Sequence, residues 1–380
     1  MDTPDLYHHT DSFDKLNESQ PLSEKLRFVH DTIKQRYPFI ERLAVAIYDP
    51  KTDLLKTFIH SSGGAVPLAH YQAKLSEAKS LREIIGMGRP RVVNDLGIFG
   101  KSEHEHSKRI LAEGYAASYT LPMFHGGELF GFIFFNASET DVFSEEVLHS
   151  LDLFGHLLTL TVVQEITHFR TLQAAVDTAR DITHHRDNET GAHLDRMSRY
   201  ARLIAEELSV PYGFTDEYVE QIFLFAPLHD IGKIAIPDNI LLKPGRLDEE
   251  EFEIMKTHTL KGREIIDGML EHFGIEALDH SNILRNIAQY HHEALNGMGY
   301  PEGLLGEQIP IEARIIAVAD IFDALTSKRP YKEAWSIQQA FELLQEMSGR
   351  TVDPDCVNAL LNHREQVEQI HQRFREDHFG

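Results

Sequence analysis

The chain has 380 residues, 42% of them apolar, which is enough for two ordinary domain cores. A formal net charge of -23 excludes a basic face for a nucleic acid polymer, and it repels any anionic substrate unless bound metal ions make the site locally positive. The one cysteine, Cys356, excludes an intramolecular disulfide and thiolate-rich metal sites, whereas 23 histidines supply imidazole ligands without thiols.

In chain order, residues 1–20 read as a polar, loosely ordered lead, and the acidic start from Met1 to Asp5 lacks the apolar stretch of a signal peptide. Leu22, Leu26, Val29 and Ile33 predict a helix over 21–36. Strand signals follow at 43–48 and 54–60, joined by a turn at Asp49-Pro50. A helix is expected over 67–86 and a short strand at 91–93. Residues 119–123 and 129–135 flank His125-Gly126-Gly127-Glu128, a hairpin signal. This order of elements resembles a GAF domain, a small α+β sensory module with an antiparallel sheet and helices, assigned to 21–145. The resemblance implies an unknown small-molecule ligand. The lack of any cysteine before 356 argues against a thioether-linked bilin.

Residues 144–185 carry one long helical pattern, with 146–185 taken as a signalling linker helix. Val147, Leu151, Phe154, Leu158, Val162, Ile166, Phe169, Leu172, Val176 and Ala179 step by three or four. Such a seam can pack on its own domain or pair in a parallel homodimer; the homodimer is the preferred reading. No apolar run approaches 18 residues, so no membrane span is expected and a cytoplasmic location is.

From 186 onward strand signals vanish. Helices are predicted over 190–208, 216–231, 249–272, 281–293, 311–327, 336–348 and 354–376, with loops at 236–246 and 296–310. The expected architecture is two-domain: an α+β N-terminal domain, a long connecting helix, and an all-α domain over 186–380.

The chemistry lies in this last part. Residues 229–233 read His-Asp-Ile-Gly-Lys, and 291–301 read His-His-Glu-Ala-Leu-Asn-Gly-Met-Gly-Tyr-Pro. Glu189 and His193 are four apart and share a helix face. His258 and Asp320 complete the set of candidate ligands. Imidazoles and carboxylates without thiols suit iron, manganese or zinc. A carboxylate such as Asp230 can bridge two ions, and such a pair can activate a shared water and clamp a phosphoryl group. His272, His280 and His363 read as surface or satisfied core histidines.

From Arg186 to Lys332 these residues resemble the HD-GYP family of bacterial cyclic di-GMP phosphodiesterases, a branch of the HD superfamily. The resemblance implies that His193, His229, Asp230 and Asp320 hold one ion. It implies His258 and His291 for a second, and Glu189 and His292 for a third. Two or three divalent ions are expected, iron first and manganese next. Lys233 is expected near the attacked phosphate, as a catalytic residue beside Asp230. Arg329 and Lys332, in Arg-Pro-Tyr-Lys, are expected on substrate phosphate and guanine. Tyr300 would line the nucleotide pocket, with Gly297 and Gly299 permitting the turn. Asn296 departs from the family's usual Asp but keeps turn chemistry. The implied reaction is hydrolysis of cyclic di-GMP to pGpG and onward to GMP, under control of the N-terminal sensor. Two alternatives stand beside it: another nucleotide substrate, such as cyclic GMP-AMP or ppGpp, and a non-catalytic cyclic di-GMP receptor.

Overall fold

The computed structural model describes residues 11–18, 20–63, 72–99, 110–182, 191–273, 281–327 and 334–375. The chain divides into two compact units, one chiefly Met1–Gln164 and the other Glu165–Glu276 with His280–Gly380.

The N-terminal unit is α+β. Helix α1 (Leu22–Arg36) precedes β1 (Ile40–Asp49), β2 (Leu54–Ser62), β3 (Gln72–Lys74), α2 (Lys79–Met87), β4 (Arg91–Val93), β5 (Ala117–His125) and β6 (Glu128–Ala137). The strands form one antiparallel sheet of order β3-β2-β1-β6-β5-β4. His125 pairs with Glu128 across a two-residue turn in which Gly126 and Gly127 both take positive φ, the geometry that matches strand twist. Alternation sorts the two faces. Ala44, Ala46, Phe132 and Phe134 pack with Leu55, Leu81 and Ile84 under α2. The region expected as one helix over 67–86 instead holds β3 and α2, and 64–71 lies outside the described residues. Within the expected loose lead, Asp14–Asn17 forms a 3-10 turn, and Phe13 packs its ring 6.0 Å from Phe154.

Helix α3 (Glu145–Ile182) follows as one element. Its first half packs on its own unit: Leu151, Leu158 and Val162 are buried, and a Cβ added at Gly155 would lie 2.3 Å from the Leu121 side chain. This corrects the dimer seam, because those positions are already filled. Phe169, Leu172, Val176 and Ala179 have side chains outside the described set. One premise of the membrane expectation, that no apolar run approaches 18 residues, does not hold by composition. Glu145–Thr167 is long and apolar enough to cross a membrane by length and composition. Polar residues such as His149 and Asp152 interrupt the run, and several of its apolar positions, Leu151, Leu158 and Val162 among them, are packed inside the unit.

The C-terminal unit is helical. Its helices are α4 (Gly191–Tyr212), α5 (Asp216–Phe225), α6 (Asp238–Leu241), α7 (Glu249–Lys256), α8 (His258–Phe273) and α9 (Ser281–Tyr290). They continue with α10 (Ile311–Thr326), α11 (Ile337–Met347), α12 (Pro354–Asn362) and α13 (Arg364–Arg373). Its core includes Phe322 between Tyr200 and Phe341, with ring centroids 5.1 and 5.0 Å away. Local chemistry sets several boundaries. Thr215 and Asp248 accept hydrogen bonds from the first-turn amides of α5 and α7. The helix expected to run to 231 stops at Phe225, since Pro227 has no amide hydrogen to continue it. The helix expected over 249–272 breaks at Thr257, whose hydroxyl donates to the Ile254 carbonyl. These two breaks matter most, because His229-Asp230 and His258 sit at them.

Candidate metal centre

Five pieces of chain bring the expected residues together. His193 lies on the first turn of α4 and Asp320 on α10. His229 and Asp230 stand between two 3-10 turns, Ala226–Leu228 and Ile231–Ala235. His258 opens α8, and His291 and His292 follow the end of α9. Gly232 makes the closest join. A Cβ there would lie 1.8 Å from the His258 carbonyl oxygen and 2.4 Å from the Gly262 nitrogen. Only glycine allows the His-Asp segment this near to α8.

The donors form two groups. Asp230, His258, His291 and His292 make one, and His193, His229 and Asp320 the other; within each, one ligand atom per residue lies within 4.8 Å of the others. Asp230 faces both. Its Oδ1 is 3.0 Å from His258 Nε2 and 3.5 Å from His291 Nε2, while its Oδ2 is 3.2 Å from His229 Nε2. One carboxylate therefore presents an oxygen to each group. In the second group, His193 Nε2 stands 3.9 Å from Asp320 Oδ1.

The histidines are oriented from behind. Nδ1–H of His229 donates to the Ala226 carbonyl at 2.9 Å, that of His258 to Met255 at 2.8 Å, and that of His291 to Ile287 at 2.9 Å. His193 differs: its Nδ1–H donates to the Asp323 carboxylate at 2.8 Å. In each case Nε2 is left as the inward-facing lone pair a metal needs.

Electrostatics favours the ligand forms. Burial, joined by the neighbouring histidines, lowers His291 and His292 from the usual imidazole value, so both stay neutral. Burial acts to raise Asp230, yet Lys233 and His229 hold its carboxyl well below the usual range. Lys233 Nζ sits 2.7 Å from Asp230 Oδ2. Neutral imidazoles and anionic carboxylates, without sulfur, fit divalent iron, manganese or zinc.

The loop after His292 walls one side. The Tyr300 ring lies 4.8 Å from that of His292, and its amide donates to the His292 carbonyl. Burial pushes its phenol upward. Phe252 and Lys256 of α7 flank Tyr300 on the outer side, at 6.3 and 5.9 Å. The glycines act differently from each other. Gly297 does take positive φ, but Gly299 serves close packing, since a Cβ there would sit 2.3 Å from the Ala294 nitrogen. Asn296 accepts from the Met298 amide. Glu293 anchors the loop: its carboxylate accepts from the backbone amides of Glu302, Gly303 and Leu304 at 2.7, 3.1 and 2.9 Å. Glu189, Arg329 and Lys332 lie outside the described residues.

Two residues outside the predicted set stand directly behind the site. Asp323 is fully buried and holds His193, and Arg196 grips Asp323 through Nε at 2.6 Å and Nη2 at 2.9 Å. Burial acts to raise the Asp323 carboxyl, but hydrogen bonds from His193 and Arg196 hold it below the usual range. A signal for them exists in the sequence: His193/Arg196 on α4 and Asp320/Asp323 on α10 are both three apart, so each pair shares a helix face.

The chain is similar to known proteins and to solved structures. Residues 178–356 match the HD domain family. A cyclic di-GMP phosphodiesterase response regulator, RpfG, of Xanthomonas campestris pv. campestris (strain 8004) is 51% identical over 191 residues, covering 50% of this chain and 47% of that protein. A cyclic di-GMP phosphodiesterase of Thermotoga maritima is 38% identical, covering 62% of this chain and 61% of that protein. A 3'3'-cGAMP-specific phosphodiesterase 2 of Vibrio cholerae serotype O1 is 42% identical, covering 47% and 32%. The chain thus spans about half the length of the curated relatives it matches. Among solved structures, the phycocyanobilin-bound GAF domain from a cyanobacterial phytochrome aligns with 40% of this chain and 90% of that one, at 16% identity and a TM-score of 0.34. Both donor groups fall within residues 178–356, the segment of this chain that matches the HD domain family.

Proposed function

We propose that the chain is a metal-dependent phosphodiesterase that opens cyclic di-GMP to pGpG and then cuts pGpG to GMP. The observation that carries this reading is the Asp230 carboxylate, with one oxygen toward each donor group. Two ions, iron first and manganese second, would be held by these groups, with Glu189 and His292 serving a third. When bound, they activate water and neutralise charge on the phosphoryl oxygens. The chain's own groups do the rest. The histidines hold Nε2 inward, and Asp230 keeps its anionic form. The Lys233 ammonium, beside Asp230 Oδ2, can meet charge that develops on a phosphoryl oxygen. Tyr300 forms a wall for a base, and Arg329 and Lys332 supply fixed positive charge for the phosphates.

A second substrate has support in the 42% identity to a 3'3'-cGAMP-specific phosphodiesterase. The test uses full-length protein purified without oxygen, with metal content measured alongside turnover of cyclic di-GMP, 3'3'-cGAMP, pGpG and ppGpp. Metal-dependent release of pGpG from cyclic di-GMP as the fastest reaction is expected. Faster cleavage of 3'3'-cGAMP would reassign the substrate, and nucleotide binding without turnover would make the chain a receptor.

In this reading the activity is cytoplasmic and answers to an N-terminal small-molecule sensor, in a homodimer paired along α3. Leu153 and Leu160, 75% and 70% exposed, lie seven apart with Leu157 between them, and they replace the buried seam as the pairing face. Leu160→Glu should shift the light-scattering mass to a monomer. Leu158→Glu should instead lower Tm, because it places a charge in the chain's own core. A wild-type monomer would end the dimer reading.

A further inference from the structure

We propose that Asp323 is a positioning residue for one ion of the pair, acting through His193, and that Arg196 fixes Asp323 for that task. This role rests on the metal-centre reading above and concerns residues that touch no reacting atom.

The histidines differ in what aims them. His229, His258 and His291 are each held by a backbone carbonyl three or four residues earlier. Those carbonyls belong to the same local turn, so the chain's own geometry aims the rings. His193 instead reaches 130 residues along the sequence, donating Nδ1–H to Asp323. A carboxylate is a stronger acceptor than a carbonyl, so it makes the imidazole a better donor at Nε2 as well as orienting it.

A buried carboxylate able to do this needs its own support. Arg196 gives it a two-nitrogen grip, and Ser327 donates its hydroxyl to the same Oδ2 that accepts from His193. Arg196 is itself anchored, donating through Nη1 to the Phe374 carbonyl at 2.7 Å. The guanidinium of Arg199 lies 4.0 Å from the Phe374 ring. The path from Phe374 to His193 therefore consists of buried or half-buried polar contacts with fixed geometry. Such a path fixes the ring far better than a solvent-facing pair would.

The role is separable from general stability. Arg314 and Asp353 form another largely buried pair in this unit, 2.6 Å apart, and Asp353 caps α12. Asp353→Asn is the control: it should lower Tm without changing metal affinity.

The test uses full-length protein stripped of metal and titrated with cobalt(II), read by visible absorption and by competition with a chelator. Asp323→Asn is the first variant. Because it leaves the Arg196 charge buried without its partner, the double variant Asp323→Asn/Arg196→Gln is run beside it, neutral at both positions. In both, one of two cobalt ions should bind about 10- to 100-fold more weakly, with the other unchanged. The absorption of the weakened ion should shift, and Asp323→Glu should recover part of the affinity. Wild-type affinity for both ions in a folded variant would overturn the proposal, as would equal weakening of both. A wild-type protein that takes up no ion would instead overturn the metal-centre reading, and this inference with it.

Discussion

The two donor groups are built in different ways. Asp230, His258, His291 and His292 come from short-range breaks in the helices, and the rings of His258 and His291 are aimed by carbonyls of the same turn. His193 and Asp320 sit on two packed helices, and His193 is aimed by a side chain distant in sequence. The first group is thus aimed by local backbone, whereas the second combines a locally aimed His229 with a His193 aimed through tertiary packing. A locally aimed ring keeps its direction while its own turn does. The His193 position depends on the α4–α10 contact and so is the first to loosen when that contact weakens.

The largest test removes what the groups share. Asp230→Ala should abolish turnover and release more than one ion per chain, a loss beyond the about 10–100-fold typical when only a residue behind a ligand is removed. Elemental analysis showing full metal content would mean that Asp230 is not the bridge. Next comes the join between the His-Asp segment and α8. Gly232→Ala should cost about 1–3 kcal/mol in stability, read from denaturant melts, because the added methyl meets backbone. It should also weaken metal binding in both groups, since it pushes Asp230 away from His258.

Acid should destabilise the centre in two steps without mutation. In metal-free protein, His291 and His292 sit below the ordinary 6.5, so the unfolded chain takes up protons there that the native state does not. Stability should therefore fall as pH drops below about 6.5. A second loss should follow at lower pH, beneath the ordinary 3.8, as Asp230 and Asp323 are forced to protonate. A Tm that stays flat from pH 7 to 5 would contradict the first step. The smallest effect belongs to Asn296→Asp. The acceptor for the Met298 amide is kept, so stability should move by no more than about 0.5 kcal/mol in a thermal melt.

Much of this centre is legible in the sequence because metal ligation restricts residue types. His229-Asp230 and His291-His292 are unusual as adjacent pairs, and His193, His258 and Asp320 complete the two groups. Support is harder to read than ligation. Asp323 and Arg196 look like ordinary charged residues on helices, and only tertiary packing shows them buried against each other. The helix breaks at Phe225 and Thr257 are hidden for a related reason. Periodicity continues through both, and the interruption comes from one proline and one hydroxyl. In the N-terminal unit the strand pairs follow from alternation and from the turn at Gly126-Gly127. The seam on α3 is plainly apolar from its spacing, but sequence does not say whether the sheet or a second copy covers it.

The triple amide grip of Glu293 has a consequence for ligand encounter. The segment from Glu302 to Leu304 is fastened to the residue next to His292, and Tyr300 is tied to the His292 carbonyl. If the proposed nucleotide docks against Tyr300, it would meet a template already set and spend little free energy on ordering that wall. Such binding would be docking onto a rigid face, with changes in affinity expressed as residence time rather than as capture rate.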